Sequence, residues 1–583
     1  MDIALALEIE QVSRQKALEE EALRGVSAVR QFYAGTTALI TGGTGFIGKQ
    51  LIEKLLRSCD VKRIYILMRS KKGKSMSERL QSQLNEPVYD NLRSQQPDFT
   101  RKVIPVEGDI SELGVGLNNE DRMKLAQEVN VIFHVAATTR FEEPLKKATF
   151  INVRGTREIM ELAKCCKDLR SFVHVSTAFS NATKSKINHD LEEKIYESPV
   201  PPEVMIQLAE TVEECRLNAI TADLIRDWPN TYCFTKAIAE DVVRTMGKDL
   251  PVAIVRPPVG KYSRAFLSEI VKVETYKYVV TGHMCSLTPD LLCDDRSNPL
   301  YFPFSVVCTL NEPTPGWLDM SSVIGPSGIF LTLMLGVMHV ILRSDVSIPI
   351  MPVDYVNNAV IATASYTNKR YNKNEKGIKV YNISCSGSKI ETSFVSDFLN
   401  NPNTQQYATP KAVWYCYGFE TSSDVVFWLL TWLLHYIPAY VADFVFNVTS
   451  MKRPEGIKSF VKMYEKIYNM SLLYGYFLRN QWNLVDDNTV AMLNQMSKTD
   501  RILFNFDVAK IDWSHYMSIW LIGIRKFIIK DGLKDSEYGR KKQSWLKIAN
   551  LCYHGLFFGV VIFFVYICCA IFMYVFRSFE HAV

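Results

Sequence analysis

The sequence predicts an α/β chain: a doubly wound parallel sheet, then a helical C-terminal domain, then a transmembrane helix. Three observations predict it. Short apolar runs alternate with helical stretches up to about Val255, apolar residues recur at helical spacing over 458–530, and residues 551–576 carry no formal charge. Strands that alternate with helices build a parallel sheet covered on both faces. At 583 residues the chain is too long for one ordinary core, so two or three domains are expected.

The elements follow in chain order. Residues 1–33 are rich in Glu and Arg and lack the apolar core of a secretory signal, so they read as a helical extension. Residues 34–395 form the sheet domain, with strands expected at Thr37–Ile40, Arg63–Met68, Val103–Val106, Val131–Val135, Phe172–Val175 and Val252–Val255. Ile329–Leu342 is apolar, but 14 residues are too few for a span. Residues 396–457 are a membrane-associated connection. Its aromatic run over 425–446, interrupted by Pro438, could lie on a membrane, re-enter it or cross it. Residues 458–530 are the helical domain. The 26 residues 551–576, at ~1.5 Å each, suffice to cross a ~30 Å hydrocarbon layer. Arg540, Lys541, Lys542 and Lys547 precede them and only Arg577 and Glu580 follow, which places the N-terminal part in the cytosol.

Charge and cysteine usage exclude other classes. A net charge of +5 without a long basic run argues against a nucleic-acid partner. The thirteen cysteines are scattered without metal-ligand spacing, which implies free thiols, a reducing compartment and no metal.

The first chemical signal is the run Thr41, Gly42, Gly43, Thr44, Gly45, Phe46, Ile47, Gly48 between a strand and a helix. Glycines at 42, 45 and 48 let a pyrophosphate approach the backbone and rest on the helix N-terminus. This is the turn of a Rossmann dinucleotide site. The second strand ends in Arg69, Ser70, Lys71 and Lys72 rather than a carboxylate. Basic residues there suit a 2′-phosphate, so NADPH is the expected cofactor, held by Arg69 and by Lys72 or Lys71. Asp109 and Ile110 after the third strand are placed to meet the adenine, and Ala136 after the fourth lets the cofactor lie close.

Tyr232 and Lys236 have the Tyr-x-x-x-Lys spacing, which puts both on one helix face. A nearby ammonium is expected to lower the tyrosine pKa. Tyr232 would then give a proton to a carbonyl oxygen as hydride reaches the carbon, with Lys236 also holding the nicotinamide ribose. Thr177 or Ser176, at the end of strand Phe172–Val175, would hydrogen-bond the same oxygen.

These residues, in this order, resemble the extended short-chain dehydrogenase/reductase superfamily, and more closely the alcohol-forming fatty acyl-CoA reductases of the animal and insect type. The resemblance is carried by Thr41–Gly48, Val61–Gly73, Gly108–Ile110, Phe133–Ala137, Asn152–Thr156, His174–Asn181, Pro229–Glu240, Ile254–Pro257, Glu312–Trp317 and Phe504–Trp513. It implies that Pro257 borders the cofactor. It implies a four-electron reduction of a long-chain acyl-CoA by NADPH to a primary alcohol, with release of CoA and no nucleophilic cysteine. It also implies a bilayer as partner, in the endoplasmic reticulum or the peroxisome. The C-terminal span, with His581-Ala582-Val583 forming no peroxisomal address, favours the former.

The chain departs from the family's pattern at two places. The 46 residues 260–305 interrupt the passage from Arg256-Pro257 to Glu312-Pro313. Gly260-Lys261-Tyr262 can be encoded by a splice-donor sequence, and Phe304-Ser305-Val306 across a pyrimidine-rich acceptor. A retained intron and a genuine loop are both open. The second departure is Gly328–Gly336, which is apolar where the family carries a basic, Gly-rich segment. Two other readings stand beside the reductase: a membrane-bound hydroxysteroid dehydrogenase-like enzyme, and a lipid-binding homologue impaired by the insertion.

Overall fold

The computed structural model describes the chain except for residues 71–72, 74, 141–142, 259–305, 320–325, 345, 348–349, 376, 385–400, 450–452, 454–457 and 581–583. The insertion at 260–305 and the basic residues Lys71 and Lys72 thus lie outside the described residues.

The six expected strands form, and a seventh joins them. They are β1 Thr37–Thr41, β2 Arg63–Met68, β3 Val103–Glu107, β4 Val131–His134, β5 Ser171–Val175, β6 Val252–Arg256 and β7 Lys379–Asn382. All neighbouring pairs are parallel, in the order β7-β6-β5-β4-β1-β2-β3. Strands β1, β4, β5 and β6 are buried along their whole length, which is why they read as continuous apolar runs. The chain winds outward from β1 through β2 to β3, then returns to the other side of β1 with β4. Ligands bind at such a switch point, beyond the carboxyl ends of the strands.

The helix Phe46–Ser58 buries Leu51, Ile52, Leu55 and Leu56 against the sheet. It also carries Lys54 and Arg57 into the interior, where both pair with Glu312, and Arg57 Nε donates to Glu53 at 2.7 Å. Lys54 Nζ donates further to the carbonyl of Leu503, 2.7 Å away in the C-terminal part. Burial alone would raise the Glu312 carboxyl, but Lys54 and Arg57 outweigh it and hold it low. Asp354, in the first turn of Val353–Asn372, accepts from the backbone N–H groups of Leu310, Asn311 and Glu312. The segment around Glu312 is therefore held from both sides.

The apolar stretch from Ile329 to Leu342 belongs to the interior. Pro326–Met334 is a wholly buried helix whose Phe330 stacks on Trp520 at 4.2 Å, and Val340–Leu342 pairs with Phe419–Thr421. The C-terminal helices Phe460–Arg479, Asp487–Gln495, Lys498–Leu503 and Trp513–Gly523 extend the same apolar core. The N-terminal helix Ile3–Ala22 straps across Lys498–Leu503 and Trp513–Gly523. Its Gln11 bonds to Asn311 and His515, and Asp2 accepts from Ser536.

Among the described residues two helices are long and apolar enough to cross a membrane. The first, Asp424–Val448, passes Pro438 without breaking, because a wider π-turn at Trp432–Tyr436 precedes the proline. The second is Ser536–Glu580. Its first turns dock on the protein: Lys542 donates to Pro410 O, Gln543 accepts from Cys416 N, and Asn550 accepts from Trp414 Nε1. Beyond Leu551 it exposes Leu556, Phe558, Val560, Ile562, Phe563 and Tyr566.

Candidate active site

The expected site residues gather along the carboxyl edge of the sheet. After β1 the chain turns at Gly42, whose φ of 75° suits glycine. A Cβ there would lie 2.7 Å from Ala136 N, and one at Gly48 would lie 2.3 Å from Gly42 O. The turn closes only without side chains. Helix Phe46–Ser58 starts from Gly45 with no side-chain cap, so the N–H groups of Phe46, Ile47 and Gly48 face outward from its first turn. The Phe46 and Ile47 side chains are buried, Phe46 against Trp317, so these residues offer backbone alone. An uncapped N-terminus behind a turn too tight for any Cβ fits a dinucleotide pyrophosphate. The Thr41 hydroxyl is directed inward, 2.8 Å from His134 Nδ1, and accepts from Ala136 N. It fastens β1 to β4 instead of facing the turn.

Farther along the edge, Arg69 lies 3.8 Å from Asp109 and its side chain is 69% exposed. Asp109 also accepts from Ser111 N and Oγ, so it shapes its own loop while facing the arginine. Ile110 packs under Gly155, where a Cβ would meet Ile110 O at 2.6 Å. On the opposite side, Pro257 O accepts from Ala178 N at 2.9 Å and ties the exit of β6 to that of β5.

Tyr232 and Lys236 lie on the helix Thr231–Met246, started by Asn230, whose side chain accepts from Cys233 N at 2.9 Å. Tyr232 is buried and shares a hydrogen bond with Thr177. The two strand-end hydroxyls diverge. Thr177 meets the phenol, whereas Ser176 Oγ points the other way and donates to Glu240 at 2.6 Å. The tyrosine pKa is not lowered: burial raises it, against a smaller pull from the Thr177 hydrogen bond. Lys236 Nζ instead donates to Val175 O at 2.8 Å and lies 3.5 Å from His174 Nε2. Burial brings Lys236 down to about 8, with Glu240, one turn away, acting in the opposite sense. Tyr232 therefore rests as a neutral phenol, a proton donor.

Three supports of this pair escaped the sequence reading. Glu240 takes Ser176, Ser180 and a two-point contact from the buried Arg256 of β6 at 2.8 and 2.6 Å. Asn152, in a π-turn at Thr149–Arg154, joins Thr138 after β4 to Thr235 on the helix Thr231–Met246. His134 and His174 stand side by side beneath Lys236, 5.2 Å between ring centres, and burial keeps both neutral. An arginine inside an apolar strand, and a glutamate four residues after the lysine, were the signals available. Among the described residues no cluster of three metal-ligating side chains occurs.

Two family models match, both described as male sterility protein: a nucleotide-binding one over residues 40–360 and a second over 434–531. Fatty acyl-CoA reductase 1 of Xenopus laevis is 31% identical over 534 residues, covering 90% of each chain. The human protein of the same name is 30% identical over the same share. Fatty acyl-CoA reductase wat of Drosophila melanogaster is 30% identical over 92% of each chain. With this sheet, this glycine turn and these matches over nearly its whole length, the chain is an oxidoreductase with a nicotinamide cofactor and belongs to the fatty acyl-CoA reductase family.

Proposed function

We propose that the chain reduces a long-chain acyl-CoA to the primary alcohol with two equivalents of NADPH, releasing CoA. The observation that carries this reading is the buried Tyr232–Thr177 hydrogen bond at the sheet edge in a chain of this family. NADPH supplies a hydride for each of the two reductions. The backbone of Gly42, Gly45, Phe46, Ile47 and Gly48 would hold its pyrophosphate, Arg69 its 2′-phosphate and Lys236 its nicotinamide ribose. In the first reduction the carbon–sulfur bond breaks, CoA leaves as the thiol after taking a proton, and the acyl carbon becomes an aldehyde. In the second, Tyr232 gives its proton to the aldehyde oxygen while Thr177 holds that oxygen in place, and the alcohol forms. Cys233, next to Tyr232, is buried with its thiol pushed up, so no thiolate is at hand for a covalent route. As functional units we propose the reductase domain over 34–395, the helical domain over 458–530 and an anchor over 551–576. The anchor sits in the endoplasmic reticulum membrane with the basic foot and the catalytic domain on its cytosolic side.

The test is alcohol formation from acyl-CoAs of graded length by membranes from expressing cells, with NADPH or NADH. Alcohol without added NADPH, or none with any chain length, refutes the proposal. Arg69→Ala should weaken NADPH by about 1.5 kcal/mol, roughly tenfold in KM, and leave NADH use unchanged. Equal loss with both nucleotides would remove Arg69 from the 2′-phosphate. Turnover is also expected to fall as pH rises through about 8, because Lys236 then loses the proton that makes it a cation. A profile flat to well above that pH contradicts the role given to Lys236.

A further inference from the structure

Helix Asp424–Val448 has two apolar sides. One packs on the protein through Phe427, Leu434 and Ala439, with Phe427 stacked on Tyr468 at 5.5 Å. The other side is exposed. Val425, Trp428, Trp432, Val441, Phe444 and Val448 recur at helical spacing, and Phe444 is 67% exposed. At 1.5 Å per residue the 25-residue helix presents a stripe about 37 Å long. An apolar patch of that length is far beyond the scatter of surface hydrophobics in a soluble protein.

The helix is fixed along its length to one element of the domain. At its start Asp424 pairs with Arg479, the last residue of helix Phe460–Arg479. Near its end Asp443 accepts from Ser459 Oγ, Phe460 N and Val461 N, at the first turn of that same helix. The two helices therefore lie antiparallel, pinned at both ends, and the inner one contributes Met463, Ile467, Met470 and Phe477 to the main core. A helix so pinned cannot stand across a bilayer without leaving the domain. A line of rings links it to the foot of the C-terminal span. His435 lies 5.8 Å from His339, His339 stacks on Tyr417 at 4.3 Å, and Tyr417 is 6.1 Å from His554, where the exposed apolar run begins. Basic residues Arg540, Lys541 and Lys542 precede that run, as at a headgroup layer.

We propose that helix Asp424–Val448 lies flat in the headgroup–acyl boundary of the same bilayer that Ser536–Glu580 enters, its Trp428–Trp432 face in lipid and its opposite face on the protein. Its polar side is replaced by protein packing, which distinguishes it from an amphipathic helix that faces water. Tryptophan is the residue expected at that depth. The inference rests on the membrane reading of the C-terminal helix.

The test uses the full chain in phosphatidylcholine vesicles carrying bromine either near the headgroup or near the bilayer centre. No tryptophan lies within 551–576, but Trp545 is exposed at the foot of that helix, so every arm is run on a Trp545→Phe background. Headgroup-proximal bromine should quench more than central bromine, and Trp428→Phe/Trp432→Phe should remove most of that quenching. Stronger quenching from the centre would mean a true span, and quenching unchanged in the double variant would mean a face away from lipid; either overturns the proposal. Extraction of wild-type membranes with alkaline carbonate separates the two readings. A chain released by carbonate refutes the anchor. A chain retained but unquenched at Trp428 and Trp432 refutes the flat helix alone.

Discussion

Tyr232→Phe is expected to lower NADPH-dependent alcohol formation by about 10²–10⁴-fold, the usual worth of a positioned proton donor. The substitution removes one oxygen from a buried side chain and leaves its ring in place. Thr177 keeps a partner, since its oxygen still accepts from Phe179 N at 3.3 Å. Folding and nucleotide binding should hence persist, and the loss should appear in kcat with little change in the dissociation constant for NADPH. Stopped-flow measurement of nucleotide oxidation, beside a fluorescence titration of nucleotide binding, reads both. Undiminished turnover would refute the proton donor, and a lost nucleotide site would show that the phenol is structural. Lys236 holds the carbonyl of Val175 and stands over His174. This phenol is thus held ready by burial and Thr177, not by being turned into a phenolate.

Glu312→Ala should destabilise the chain by about 3–5 kcal/mol, because it leaves the buried Lys54 without a carboxylate and takes one of three carboxylates from Arg57. The side chain of Lys54 is fully buried and would keep the Leu503 carbonyl and the Phe504 ring but no anion, while Arg57 would keep Glu53 and Glu19. Lys16→Ala is the matched control. Its ion pair with Glu20 spans 3.9 Å between side chains that are mostly in water, and such pairs are worth about 0–1 kcal/mol. Chemical denaturation of the detergent-solubilised protein, followed by tryptophan fluorescence, compares the two. Equal midpoints for both variants would deny the buried network any structural weight. The effect should also reach the site, since the Glu312 ion pairs and the stacking of Phe46 on Trp317 fasten the glycine-turn helix to the segment 312–317.

The parts of this protein legible in its sequence are those fixed by local pattern. Strands β1, β4, β5 and β6 declare themselves because a parallel strand buried on both faces must be apolar throughout, whereas the partly exposed β2 and β3 show as short apolar runs between helical stretches. The glycine turn declares itself because no other residue closes it. Strand β7 does not, because it is an edge strand with a lysine at its start, reached only after a long helix. Tyr232 and Lys236 are visible through their spacing, but what Lys236 touches is not. Its partners Val175 and His174 come from a strand about sixty residues earlier in the chain. The Glu240–Arg256 pair hides for the same reason: its halves lie on a helix and a strand that only the folded sheet brings together. Thr177 and Ser176 are adjacent in sequence, and only the backbone direction at the end of β5 sends one to Tyr232 and the other to Glu240.

The N-terminal strap sets an order of events during synthesis. Asp2 meets Ser536, Gln11 meets His515 and Glu8 meets Lys526, so these contacts close over separations of more than five hundred residues. A ribosome delivers the sheet domain first, and it can condense around its own core while the rest is being made. The first helix can meet Arg57 and Asn311 earlier, but its docking is complete only once residue 536 has emerged, and the apolar run at 551–576 follows at once. With the anchor proposed above, closure of the strap and delivery of the nascent chain to a membrane fall within the same short interval. The opening residues of this protein are among the last to reach their native place.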